Sequence, residues 1–196
     1  MKVLGLVGSP RKMGNTDLLV EQLLEGARTK GYETEKLYLY DCTISLCTDC
    51  RSCKKGDYVC YVHDEMQQIY PLMAGADVIV FGTPVYWYGP SAKMKMLIDR
   101  MRPFVENKKL VGKRAVVVSP SAEGSAASDP LLEMFRRMFL YIGVELRAKF
   151  LLKPMIRVRW QRTRKIWLKR THWVLRFRLF VPEPKMYTGT FLCKRV

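Results

Sequence analysis

Four of the six cysteines in this 196-residue chain fall within fourteen residues, in the stretch "CTDCRSCKKGDYVC" from Cys47 to Cys60. The spacing is C-x2-C-x2-C-x6-C, with Cys47, Cys50, Cys53 and Cys60 as the candidate metal ligands. Thiolates three residues apart lie on one tight loop and can converge on one small object. Structural zinc is usually held by two separated C-x2-C pairs. Three cysteines in steps of three, followed by a fourth, suit a [4Fe–4S] cluster better. Lys54 and Lys55 would offset the negative charge of such a group. On spacing alone, redox thiols, disulfides in an oxidising compartment, or no ligand at all stay open. Cys42 and Cys193 stand apart from the motif and read as small buried hydrophobes. His63 reads as a local hydrogen-bonding residue, and Asp99 and Arg100 as helix-end structure.

Two further stretches carry chemistry. In "GSPRKMGNT" the backbone amides, the Ser9, Asn15 and Thr16 side chains and a following helix N-terminus would face one spot, with Arg11 adding positive charge. That is an anion site, although turn-and-cap chemistry produces similar loops. The spacing is neither a Walker A nor a G-x-G-x-x-G pattern. In "TPVYWYGP" the aromatics Tyr86, Trp87 and Tyr88 follow a Pro turn and suit a flat ring system, or pack in a core or interface. A third loop, "SPSAEGS", is small and polar enough for close backbone approach.

The elements that must position these loops are legible from periodicity. Residues 3–7, 33–40, "ADVIVFG", "KRAVVV" and "VELRAKF" read as strands. Between them "DLLVEQLLEGARTKG", a helix capped by Asp64 and running through Met73, "SAKMKMLIDRM" and "DPLLEMFRRMFLYIG" have helical spacing, with Pro130 early and Gly31 and Gly143 as stops. Apolar strands alternating with helices predict an α/β fold with a doubly wound, five-stranded parallel sheet. Such sheets bind ligands at the carboxyl ends of their strands, which is where residues 8–16, 83–89 and 119–125 fall.

"GSPRKMGNT", "TPVYW" and "KMLIDR" together resemble the flavodoxin-like NADPH-dependent FMN reductase family. "CTDCRSCKKGDYVCYVHDEM" is similar to its iron-sulfur flavoprotein branch. The resemblance spans roughly residues 1–150 and implies a three-layer flavodoxin-like fold that binds FMN. It implies that Ser9, Arg11, Asn15 and Thr16 hold the FMN phosphate. Pro84, Val85, Tyr86 and Trp87 would line the isoalloxazine ring, and Ser119, Ser121 and Gly124 would close the far side. It further implies a flavin-dependent oxidoreductase carrying electrons between FMN and a [4Fe–4S] cluster next to it, with NAD(P)H as one candidate donor. A cluster-free NAD(P)H-dependent FMN or quinone reductase is the alternative. No acid–base residue stands out, and flavin electron transfer requires none. A redox partner protein or a small donor or acceptor is implied, as is a homodimer or homotetramer.

Composition bounds the rest. Apolar residues make up 48% of the chain, as in a folded globular protein. No signal peptide or membrane span is visible, so a cytoplasmic protein is expected. The net charge of +16 is uneven. Residues 1–156, read as the FMN-binding domain with a cysteine insert at 42–63, carry 22 Lys/Arg and 17 Asp/Glu. Residues 157–196 carry 12 Lys/Arg and one acid, Glu183, together with three of the four tryptophans. Such a tail reads in two ways. Interleaved Arg and Trp suit nucleic acid or an anionic membrane surface. Alternatively, the segment is a frameshift product. Reading the last base of each codon with the first two of the next forces Ala from Trp160-Gln161 and Gly from Trp173-Val174, and allows Glu, Asp and a stop nearby. The shifted frame can thus read as an acidic, helix-forming end, and the expectation is no nucleic-acid or membrane partner.

Overall fold

The computed structural model describes residues 1–123 and 126–150; Gly124, Cys193 and the basic segment 157–196 lie outside them. Five strands, β1 (Lys2–Val7), β2 (Glu33–Tyr38), β3 (Val78–Gly82), β4 (Arg114–Val118) and β5 (Glu145–Phe150), form one parallel sheet in the order β2-β1-β3-β4-β5. The chain passes from β1 outward to β2, then returns across β1 to place β3 on its other side. That reversal opens a crevice between the carboxyl ends of β1 and β3.

The central strands are apolar on both sides because both sheet faces are covered. Side chains alternate between the faces. Leu4, Leu6, Ile79, Phe81, Ala115 and Val117 point to the side of α2 (Met66–Gly75), α3 (Ala92–Arg100) and α5 (Asp129–Ile142). Val3, Val7, Val78, Val80, Val116 and Val118 meet Val20 and Leu24 of α1 (Asn15–Arg28). β2 is the sheet edge, and its "ETEKLY" is correspondingly polar and half-exposed.

The five expected strands and four expected helices are present. Ser91 caps α3 by accepting from Met94 N at 3.3 Å, and Gly143 ends α5 with φ +73°. A short helix that periodicity does not reveal, α4 (Pro103–Asn107), follows α3 directly, with Pro103 at its first position. One turn is too short to show a helical period. Among the described residues no helix is long and apolar enough to cross a membrane.

Close approach of α1 to the sheet depends on Gly82. A Cβ built there would lie 2.4 Å from Val20 Cγ2 and 3.3 Å from Thr16 Cγ2. Gly82→Ala is therefore expected to overpack this contact and cost about 1–3 kcal/mol. In urea unfolding the midpoint should fall with the slope unchanged.

Candidate functional site

The first loop leaves β1 at Gly8 and enters α1 at Asn15. Ser9 and Thr16 are buried, while Arg11 and Asn15 are exposed. Ser9 Oγ accepts from Arg11 N at 3.3 Å, and Gly14 N donates to Arg11 O at 3.2 Å, which closes the loop into a tight turn. No described side chain caps the N-terminus of α1. Its first-turn amides therefore add to the partial positive charge that favours an anion.

The sequence reading missed Asp17, which organises this loop from below. It is 1% exposed. Its carboxylate accepts from Met13 N at 2.7 Å, from Tyr38 OH at 2.9 Å and from Lys36 Nζ at 3.1 Å. A carboxylate this near an anion site would repel the ligand. Lys36, which also pairs with Glu21, offsets that charge and holds the loop to β2. An acid in the first turn of a helix was the only sequence signal for it.

Backbone and hydroxyl hydrogen bonds tie the three loops together at the crevice. Gly8 N donates to Gly82 O at 2.7 Å, Thr83 N to Val118 O at 2.9 Å, and Ser91 N to Thr83 Oγ1 at 2.9 Å. Ser91 Oγ donates back to Gly8 O. Beyond Thr83, Tyr86 and Gly89 exchange backbone hydrogen bonds of 2.9 and 3.0 Å around a two-residue tip, Trp87-Tyr88. Both tip residues have positive φ, +50° and +62°. Asn-Gly is the usual occupant of such a turn, and bulky side chains there store strain of about 1–3 kcal/mol each. Trp87 is 96% exposed, Tyr86 and Tyr88 are exposed, and Pro84 and Val85 are half-buried beneath them. In the third loop Ser119 and Ser121 are buried, and Ser119 Oγ has no hydrogen-bond partner among the described residues. Gly124 lies outside the described residues.

The four motif cysteines line one small cavity of about 20 Å³ that opens to solvent. Cys53 is buried, Cys47 and Cys60 are half-buried, and Cys50 is exposed. Burial, followed by the neighbouring Cys60, raises the Cys53 thiol pKa, whereas hydrogen bonds from Ser52 lower that of Cys50. The loop is bent through left-handed Asp49, Arg51 and Tyr58. Among the described residues no three Cys, His, Asp or Glu groups are close enough to hold a single metal ion.

The other walls are Arg51, Val62, Asp99, Arg100, Arg102 and Pro103. Arg100 is buried and forms a two-point ion pair with Asp64, at 2.6 and 3.1 Å. Asp64 also accepts from Ser45 N at 2.8 Å and Met66 N at 3.0 Å, so the pair clamps both ends of the cysteine segment. Arg100 thus has the structural part the sequence suggested. Asp99 pairs with Lys95 at 2.6 Å, His63 is exposed, and Cys42 is buried with its thiol donating to Tyr38 O at 3.4 Å.

One expectation is corrected. The cysteine cavity touches the C-terminal end of α3, whereas the three loops meet its N-terminal Ser91. Nine helical residues rise about 14 Å. Within one chain the cysteines are therefore not next to the loop crevice. The insert leaves the edge strand β2 and is drawn down along α3 by Asp64 and Arg100.

Comparison with known proteins agrees with this architecture. The sequence model of the family described as NADPH-dependent FMN reductase matches residues 1–146. An iron-sulfur flavoprotein of Methanocaldococcus jannaschii is 37% identical over 71% of this chain and 72% of its own length. An iron-sulfur flavoprotein of Archaeoglobus fulgidus is 36% identical over 58% of this chain; the match spans only about half of that relative (51%). Among solved structures, an NAD(P)H:quinone oxidoreductase from Methanothermobacter marburgensis superposes with a TM-score of 0.64 at 18% identity, over 81% of this chain and 89% of its own.

The Asp64–Arg100 pair gives the protein an acid-sensitive clamp. Burial alone would raise the Asp64 pKa, but hydrogen bonds from Arg100, Ser45 and Met66 outweigh it and hold the carboxyl below its ordinary value. A depressed folded pKa contributes stability that is fully present above the unfolded value of about 3.9 and is lost as pH falls through the folded one. Asp64→Asn should cost about 3–5 kcal/mol at neutral pH by leaving Arg100 uncompensated. It should also flatten the loss of stability below about pH 4, read from urea unfolding at a series of pH values.

Proposed function

The chain belongs to the NADPH-dependent FMN reductase family, and from that premise we propose that it carries electrons between FMN bound at the loop crevice and a [4Fe–4S] cluster held by Cys47, Cys50, Cys53 and Cys60. The family is one of flavin-dependent oxidoreductases, and the fold agrees. The observation that carries the cluster is that all four cysteines line one cavity. Arg51, Arg100 and Arg102 line it beside Asp49 and Asp99, and bring cationic N–H donors to such a group.

For FMN, Ser9, Asn15, Thr16 and the α1 amides hold the phosphate, with Arg11 from the exposed side. Pro84, Val85, Tyr86 and Trp87 form the wall for the ring, and Ser121 and the unpartnered hydroxyl of Ser119 close the third side. When bound, FMN supplies one- and two-electron chemistry, and the protein supplies orientation and electrostatics. The Tyr86–Gly89 backbone hydrogen bonds hold the aromatic tip in its turn against the strain at Trp87-Tyr88, and the tip would cover a bound ring from that side. The partner is a redox protein or a small donor or acceptor such as NAD(P)H, and electrons pass within one subunit or across a homo-oligomer.

A cluster-free NAD(P)H-dependent FMN or quinone reductase is the second reading, favoured by the exposure of Cys50 to solvent. Iron and acid-labile sulfide analysis separates the two: about four of each per chain in an anaerobic preparation is expected for the cluster. NAD(P)H oxidation with added FMN or quinone by iron-free protein would favour the second. A preparation that takes up no flavin, even with FMN added, sinks both. Thr16→Val removes a phosphate donor without changing size, and should weaken FMN binding about tenfold or more in a fluorescence titration.

A further inference from the structure

Arg100 is 1% exposed, and both of its terminal nitrogens are engaged. Nη1 donates to Asp64 Oδ2 and to Ser45 O, Nη2 to Asp64 Oδ1 and to Val62 O. Its remaining donor, Nε–H, has no partner among the described residues. Folded proteins leave very few buried donors unpaired, fewer still on a charged group. The same side chain lines the cavity shared by the four cysteines. Tyr70 brackets it from the other side: its hydroxyl donates to Arg100 O at 2.6 Å. Cys60 lines the same cavity as Arg100.

We infer that Arg100 is a positioning residue for the cysteine site, whose free Nε–H donates to a sulfur of the bound cluster and sets its reduction potential. This rests on the cluster reading above. The Asp64 pair does the orienting. It occupies the terminal fork of the guanidinium, so the one N–H left over is the donor available to a group in the cavity that Arg100 lines. A hydrogen bond to a cluster sulfur stabilises the reduced, more negative state and raises the potential. Arg51 and Arg102 also border the cavity, but Arg51 is exposed, Arg102 is half-buried, and both are paired with Asp49, so their charge is largely spent.

The test is Arg100→Lys in the full chain, which keeps the charge and loses the planar fork and the Nε–H. FMN titration is the folding control, because the flavin loops lie at the other end of α3. At wild-type iron content the constant for one-electron reduction of the cluster should fall about tenfold, a shift of 59 mV by potentiometric titration. A merely structural arginine would change stability or iron loading but not the potential of loaded protein. An unchanged potential at equal iron content overturns this inference and leaves the cluster reading standing. Wild-type protein without iron defeats both. Where R100K does not retain FMN and iron, an Arg51→Lys/Arg102→Lys double variant labelled with 15N-arginine decides. Its reduced cluster should show coupling to arginine nitrogen in pulsed EPR, and absence of that coupling overturns the inference.

Discussion

All five strands run in one direction, so every strand ends at the same edge of the sheet and every helix must run back to the other. The loops after β1, β3 and β4 are forced to converge, and the order reversal between β1 and β3 opens the space between them. The same geometry makes the two ends of α3 different places. Ser91, at its start, ties the crevice loops together, and Arg100, at its end, holds the cysteine segment. A residue's position along a helix nine residues long thus decides which of the two sites it serves.

The two sites are built by opposite means. At the crevice, backbone amides and small side chains are left facing a shared space, with strain confined to Trp87-Tyr88 and the buried acid Asp17 offset by Lys36. At the cysteine loop a buried ion pair does the organising. Burying Asp64 and Arg100 is costly in itself, and the pair is retained because each oxygen and each terminal nitrogen finds further backbone partners. The cost falls on a loop that has few apolar contacts of its own and three left-handed non-glycine residues to hold. Gln67, which donates to Cys60 O and Val62 O, and the Arg102–Asp49 pair add further ties at its rim.

The fold and most crevice residues were legible in the sequence because their signals are local. Apolar alternation and turn residues mark the strands and their ends. The Ser9–Thr16 loop joins strand to helix directly, so its placement follows from the fold class. Asp17 escaped notice because its partners, Lys36 and Tyr38, lie on the next strand. Helix α4 was missed because five residues carry no period.

What the sequence determined by itself is the parallel sheet, the loops that end its strands, and the set of four cysteines with a spacing fit for one ligand. What only the tertiary structure decided is where those cysteines sit and which groups face them. Asp64 and Arg100 are 36 residues apart in the chain, and no local pattern pairs them. Their contact pulls the insert to the far end of α3, a helix that rises about 14 Å from the end that meets the crevice. Spacing along a chain records which groups can share a ligand. Distance between sites depends on the buried interactions that fold the insert back.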